Sequence, residues 1–571
     1  METVNDPAST GIERLVPSFR VLIILYIALF AASVLILGVF DVRPIIYYVM
    51  VTAIALVILL EILLYKASDG AAATILLQIM LLTLSVIWSM SLKYYYFIGR
   101  TDVIAHSWYA EIIASTGQIG QEMRYYTAFA LWHILNSLLY TITGLQVEMH
   151  TVLFVTCGLI FMAIPAGVYV LLMKLYSNSN MALMAALISS FTPAILLYGS
   201  YSIARSIVTF LFLVILIILV SRKGMSKVAL LLFFTLMIIM YHTVSIVFLI
   251  VILAAMYVVQ LLFVRSKENK VVPGLYLLVC VAIVSAYWAL NSSEMIEAVQ
   301  SNLLSAAPEG VITKSVVETP LSELANYLQY MPYIFLIIVG GLLALRSKHF
   351  SDRMKLFGLS ALLFIAITFP GPALLMNKLA GNFQLDRFES YTMIFMIVAA
   401  AVGLSVLYLR AGKAAKAFLI VLFGLWVLLS VSNDFVSSDN PLVMRPYYTN
   451  YLTENEVTSF DHIVELHLSR IMTDHVTQRY YQFSPYHQGN YPLNVDGANN
   501  TIMQPKPSDL ILIRDGELEK RPLKLCTAVA GKYDRSAHKG EYDFYYKGDP
   551  AYDDLGRFDR VYDSAEVRAY L

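Results

Sequence analysis

The sequence predicts an α-helical polytopic membrane protein of about 13 transmembrane helices, carrying a C-terminal extracytoplasmic α/β domain. Three observations lead there. Hydrophobic residues make up 58% of the 571 and charged residues 14%, with a mean hydropathy of +0.68. A soluble fold of that length cannot hide so much apolar surface. Apolar runs long enough to cross a bilayer recur at about 21–40, 44–65, 71–92, 150–173, 181–199, 202–221, 228–241, 243–264, 271–290, 326–345, 355–377, 390–409 and 417–432. After Trp426 the composition turns to Tyr, Asp and turn residues.

The chain divides accordingly. Residues 1–20 are polar and read as a cytoplasmic N-terminus, since no small-residue cleavage pattern follows the apolar run from Val21. Residues 21–432 form the transmembrane module, with an outer loop and surface helices at 92–149. Residues 433–571 form the outer domain. Within it Asn455–Leu468 has helical spacing. Asp509–Arg514 and Leu523–Ala530 read as buried strands, and Glu541–Lys547 and Arg560–Leu571 as edge strands or a hairpin.

Residues 127–143 are ambiguous. Their polar residues His133, Asn136/Ser137 and Tyr140/Thr141 recur every three to four positions, which predicts a helix lying at the interface with one wet face. The positive-inside rule supports this choice. With thirteen spans and the N-terminus inside, inner segments hold 17 Lys and Arg, and outer membrane-proximal positions hold 8. A crossing at 127–143 would send every basic loop from Lys174 onward outside. Segment 92–149, loop 291–325 and the tail therefore face out.

Several function classes are disfavoured. Residues 1–432 carry 25 Lys+Arg against 19 Asp+Glu, and the tail 15 against 21, so nucleic acid is not an expected partner. The chain has no Gly-x-x-x-x-Gly-Lys-Ser/Thr loop and no Gly-x-Gly-x-x-Gly, which leaves ATP-driven transport unsupported. The spans show no strong doubled pattern of broken helices, which weakens a secondary transporter. Three scattered cysteines offer neither a disulfide framework nor a Cys metal site. Asn291-Ser-Ser293 and Asn499-Asn-Thr501 are glycosylation sequons, a triplet common by chance.

Chemistry concentrates in the outer loop. On a helix from Arg100 to Thr116, Asp102 and His106 share a face, with Tyr109 a turn on and Ile104, Trp108 and Ile112 on the apolar side. Glu111 falls about half a turn from Asp102. Two readings stand. Asp102 is a general base with His106 beside it for substrate or a metal, or Thr101 or Asp102 simply caps the helix and His106 sits in interfacial water. Arg205, His242 and Arg387 are cationic or ionisable groups at outer ends of distant spans, where such groups usually face a cavity or a partner. Three at one leaflet could hold a lipid phosphate. The competing readings are snorkelling for Arg205, a helix-end hydrogen bond for His242, and an Asp386 or Glu389 pair for Arg387. Glu61, near the inner end of the second span, pairs with Lys66 or reaches water, and no role is assigned to it.

These residues resemble the GT-C superfamily of integral-membrane glycosyltransferases, related to protein O-mannosyltransferases and lipid A aminoarabinose transferases. The resemblance covers roughly 90–410. It rests on Arg100-Thr-Asp102 before an amphipathic helix and on the surface helix from Tyr125-Tyr-Thr to Thr143-Gly144. It also rests on Phe191-Thr-Pro193 with Tyr198-Gly199, and on Phe383-Gln-Leu-Asp-Arg387 before a span. Two extra spans precede the acidic loop, and no second acidic residue stands beside Asp102. The Trp-Trp-Asp signature of oligosaccharyltransferases is missing from the tail, which itself resembles outer domains of archaeal and bacterial members.

The resemblance implies a sugar donor on polyprenyl phosphate in the outer leaflet and a glycan, lipid or protein acceptor, with Asp102 as general base. It implies Arg387, helped by Arg205 or His242, at the leaving phosphate. His106 and Glu111 are further substrate-binding candidates, and the tail is expected at the acceptor or emerging glycan. A divalent cation at Asp102 and His106 would have an incomplete ligand set, so no metal is assigned. A transporter or lipid flippase, and a non-enzymatic membrane assembly protein, are the alternatives.

Overall fold

The computed structural model describes residues 18–571 except 66–67, 100–101, 145–146, 222–224, 265, 305–326, 369–384, 433–450, 467–469, 483–489, 497–498, 504–505, 507 and 529–540. Arg100, Thr101, Lys66 and Phe383-Gln384, named above, lie outside the described residues, as do most of loop 291–325 and the start of the tail.

Helices dominate to residue 431. In chain order they are α1 (Phe19–Val39), α2 (Ile45–Leu64), α3 (Asp69–Ser91), α4 (Asp102–Thr116), α5 (Leu131–Thr143), α6 (Met149–Met162), α7 (Ile164–Leu175), α8 (Ser179–Ser189), α9 (Pro193–Tyr201), α10 (Ala204–Val220), α11 (Met225–Tyr241), α12 (Ser245–Phe263), α13 (Gly274–Asn291), α14 (Ser293–Leu304), α15 (Tyr330–Arg346), α16 (Asp352–Thr368), α17 (Glu389–Arg410) and α18 (Lys413–Val431). Among the described residues eight helices are long and apolar enough to cross a membrane, counting α6 and α7 as one run of 27 residues. A ninth candidate is the α8–α9 pair, bent by 55°. Pro193 has no N–H for the preceding turn, so it opens a new helix at its first turn and sets the bend. Helices α10, α11 and α15 are shorter apolar helices. The chain is thus a helical, membrane-inserted protein with strands in its C-terminal region.

The core runs around α17, whose side chains from Ser390 to Leu404 are all buried. Its closest neighbour is α15. A Cβ on Gly340 would fall 1.8 Å from the Ala399 carbonyl oxygen, and one on Gly403 would fall 2.3 Å from that of Leu336. Only glycine lets two backbones meet this closely, a device suited to lipid, where apolar burial cannot drive helix pairing.

Helix ends assigned to one side by charge meet each other. The Asn180 amide donates to the Tyr65 carbonyl at 2.8 Å, Ser351 to Leu175 at 3.2 Å, and Arg353 to Val220 at 2.8 Å. At the opposite end Lys93 donates to the Leu37 carbonyl at 2.6 Å and Arg43 to Ser89 Oγ at 3.2 Å.

At 13 residues α5 is too short to cross. The wet face expected of it is corrected. His133, Asn136 and Ser137 are buried, with Ser137 Oγ donating to the Ala110 carbonyl of α4 at 2.6 Å, whereas Leu138 and Ile142 are exposed. The first two turns of the polar stripe pack on protein, Tyr140 is half-buried and Thr141 exposed, and part of the apolar side faces out. That order suits a helix whose outer surroundings are lipid rather than water.

The C-terminal region carries α19 (Glu454–Leu466) and α20 (His475–Gln482) with two sheets. The first has the order β10-β11-β7-β3-β4, from Arg560–Asp563, Arg568–Tyr570, Leu510–Ile513, Ile471–Thr473 and Asn490–Pro492. The second has the order β6-β5-β8-β9, from Thr501–Ile502, Asn494–Asp496, Leu523–Ala528 and Glu541–Tyr545. Strand β3 runs parallel to both β4 and β7, and every residue of β7 is buried. Beside it Arg514 is fully buried, 2.8 Å from Glu456, 3.8 Å from Asp474 and 3.9 Å from Glu517.

This region is joined to the outer loop. Strand β1 (Tyr96–Phe97) pairs antiparallel with β2 (Tyr451–Leu452), and the Tyr94 and Tyr451 rings stack at 4.1 Å. Ile98 and Ile104 are buried in the same apolar cluster as Leu452, Phe460 and Leu512. Burial of two isoleucines, Ile98 of the outer loop and Ile104 of α4, contributes about 3–6 kcal/mol to holding this segment against the tail.

Candidate functional site

Asp102 is the first residue of α4 and is exposed. An acidic residue in the first turn suits the positive end of the helix dipole. Gly117, at φ +69°, takes the left-handed conformation that ends the helix. Three packings fix how α4 lies. Val103 clusters with Phe97 of β1 and with Phe154 and Tyr201 of the bundle; Ile104 enters the tail core; Tyr109 packs with Met123 and Ala130 beside α5.

His106 points into the protein. Its Nδ1 lies 2.8 Å from Nε2 of His133, so one ring donates and the other accepts. Both rings are buried, and His133 Nδ1 has no hydrogen-bond partner among the described residues. Tyr126 stands edge-on to both imidazoles, 5.0 Å from His106 and 5.3 Å from His133. Burial pushes His106 down to about 4, opposed by the Asp102 charge and reinforced by Arg479 of α20. Burial, then His106 itself, holds His133 well below the usual histidine range. Both rings are neutral at physiological pH. The expectation that His106 sits in interfacial water is therefore corrected, and its Nδ1 is engaged by His133 rather than offered to a metal.

The charges of the distant cations are felt at Tyr126. Burial raises the Tyr126 phenol above its ordinary range. The Asp102 charge adds to the rise, and Arg205 and Arg387 oppose it, so this hydroxyl senses the carboxylate and both guanidinium groups. Arg205, His106 and Arg387 also all act on His242. Arg205 begins α10, where unpaired N–H groups already favour an anion. Its guanidinium lies 4.5 Å over the Tyr198 ring, and its buried Nε has no hydrogen-bond partner among the described residues. Arg387 lies in a 3-10 turn, Leu385–Phe388, leading into α17. His242 follows α11, with Nδ1 2.8 Å from Ser245 Oγ at the start of α12; that oxygen is 2.6 Å from the Tyr391 hydroxyl. The helix-end bond expected for His242 is present, alongside its place in the cluster.

Glu111 stands apart from this group, as its half-turn separation implies. Ser107 Oγ donates to its carboxylate at 3.3 Å, and its charge neighbours are His150 and Glu148, themselves 3.0 Å apart. Glu61 is buried and accepts from Gln78 Nε2 at 3.3 Å. Between α4 and α5, Arg124 is held at φ 50°, ψ −121°, a conformation non-glycine residues avoid and one that clusters near functional sites.

Sequence reasoning missed His133, Tyr126 and Tyr391 as members. The three-to-four spacing that marked His133 was the only local signal, and it was read as facing water. Among the described residues no group of three or more His, Cys, Asp or Glu is arranged to hold a metal ion. What the cluster offers is a carboxylate, two guanidinium groups, tyrosine hydroxyls and neutral imidazoles. That set can accept a proton at one side and neutralise an anion at the other.

A sequence family described as a family of unknown function, DUF6541, matches residues 18–433, and the chain belongs to it. Comparison with curated proteins returned no match.

Proposed function

We propose that this DUF6541 protein is a glycosyltransferase of the GT-C kind, moving a sugar from a polyprenyl-phosphate donor to an acceptor hydroxyl at the outer membrane face. The observation that supports it is that the charges of Asp102, Arg205 and Arg387, from chain segments nearly 300 positions apart, all act on Tyr126, while Arg205 and Arg387 also act on His242. In this reading thirteen helices cross. They are the eight long ones, the bent α8–α9 pair, α10, α11, α15 and α16. The excess of basic residues puts the N-terminus in the cytoplasm and the C-terminal domain outside. In this reading that domain, packed on α4, stands beside the acceptor.

The chemistry follows from the groups. Asp102 takes the proton from the acceptor hydroxyl as its oxygen attacks the anomeric carbon. The bond from that carbon to the phosphate oxygen breaks, and the lipid phosphate leaves with the electron pair. Arg387 and Arg205 neutralise the growing charge, and the Tyr126 hydroxyl, kept protonated, can donate to it. The polyprenyl chain lies in the outer leaflet between spans. The test is turnover of a radiolabelled polyprenyl-phosphate sugar by purified protein and by Asp102→Asn. Loss of about 100-fold or more in the variant is expected of a general base. Equal turnover removes Asp102 from that role, and no turnover across a donor panel removes the transferase reading.

A further inference from the structure

At the end of the bundle opposite Asp102, a cavity of about 310 Å³ opens between α10, α11 and α13. Its walls are apolar, formed by Leu219, Leu231, Leu232, Tyr276 and Val279. Val228 and Leu275 also line it and are 56% and 73% exposed, so its mouth lies on the lipid-facing surface. The rim is cationic. Among the described residues that line it, Lys227, Lys270 and Arg353 accompany one carboxylate, Glu268.

Two of these cations are fixed by backbone. Lys227 donates to the Leu219 carbonyl at 2.7 Å. Arg353 donates to those of Val220 at 2.8 Å and Glu268 at 3.2 Å, leaving its buried Nε without a hydrogen-bond partner among the described residues. Lys270 is exposed at the rim. An apolar slot open to lipid beneath basic side chains matches one occupant, a phospholipid with an anionic headgroup. Acyl carbons fill the slot while the phosphate meets the rim. A free phosphate would leave the walls empty, and a zwitterionic lipid would leave the rim charge unmatched.

We infer that this cavity is a binding site for an anionic phospholipid of the leaflet at that end of the bundle, independent of the transferase site. The test uses full-length protein in nanodiscs of phosphatidylcholine containing a minor fraction of phosphatidylglycerol, with retained lipid counted by native mass spectrometry. Phosphatidylglycerol should be enriched on the protein over its share of the bilayer. Lys270→Ala should lower that enrichment about fivefold, the weight of one cation near a headgroup. Val279→Trp, which fills the slot, should abolish it while the protein stays monodisperse. Retention in proportion to bilayer composition would overturn the site, as would enrichment unchanged in both variants. Inorganic phosphate that displaces the lipid at millimolar concentration would reduce the site to a headgroup-only anion site and overturn the acyl slot.

Discussion

Acidification should unlock the outer loop through one buried ring. His106 titrates at about 4 in the fold and at 6.5 when free. Its folded pKa lies below its unfolded one, so between these values the unfolded chain binds more protons. Stability is therefore full above 6.5, falls as pH drops through that value, and levels off below 4. Going from about pH 7.5 to about pH 5, linkage with those two values removes about 2 kcal/mol. Charging the ring would bury a cation against a second neutral imidazole, with Nδ1 donating to His133 Nε2 but no carboxylate in that hydrogen bond to offset the lost hydration. Asp102 already opposes the downward shift and Arg479 reinforces it, so both are included in the value. Equilibrium unfolding in mixed micelles at the two pH values gives the slope for wild type and for His106→Asn. The variant should lose about 2 kcal/mol of the pH dependence, and relief of His133, held down partly by His106, reduces its slope in the same direction, while His475, likewise pushed down by burial, to about 3, contributes equally to both proteins and cancels. Identical slopes would refute the reasoning, as would a histidine NMR titration placing His106 near 6.5.

Other expectations rest on packing. Gly340→Ala should separate α15 from α17, because its Cβ meets the Ala399 carbonyl; a loss of about 1–3 kcal/mol or more, seen as aggregation on size exclusion, is expected. Gly70→Ala, where nothing lies within 4 Å, should elute like wild type. Arg514→Met strips the cation from three buried carboxylates and should destabilise the C-terminal region by about 3–5 kcal/mol, read as its selective loss in limited proteolysis. Tyr96→Cys with Leu452→Cys places two thiols directly opposite across β1 and β2, so oxidation should cross-link the tail to the outer loop. Failure to cross-link on a gel, after cleavage at a protease site inserted between them, would break the docking of the tail on α4.

Much of the architecture is local information and was legible. Each predicted span coincides with helix in the described residues, because some 20 apolar side chains in a row leave the backbone no other way to satisfy its hydrogen bonds in lipid. The strands at Leu510–Ile513 and Leu523–Ala528 announced themselves as short β-rich apolar runs, and Arg560–Asp563 with Arg568–Tyr570 forms the expected hairpin. The site was only half legible. Asp102, Arg205, His242 and Arg387 are charged or ionisable groups at helix ends in an oily chain, which is a composition signal. His133, Tyr126 and Tyr391 look like ordinary residues of amphipathic or apolar segments.

The sequence by itself determined the class of the protein, the order of its helices and the halfway separation of Glu111 from Asp102. Hydrophobic length, helical period and charge alternation are properties of neighbours along the chain. Tertiary structure alone decided that His133, Asn136 and Ser137 of α5 point inward, that His106 is locked against His133, and that Tyr126 feels the charges of Asp102, of Arg205 on α10 and of Arg387 in the turn before α17. Which way a polar stripe faces depends on whether the medium beyond it is water, protein or lipid, and no periodicity carries that information. Packing supplies it, by placing α4 between the bundle, α5 and the tail.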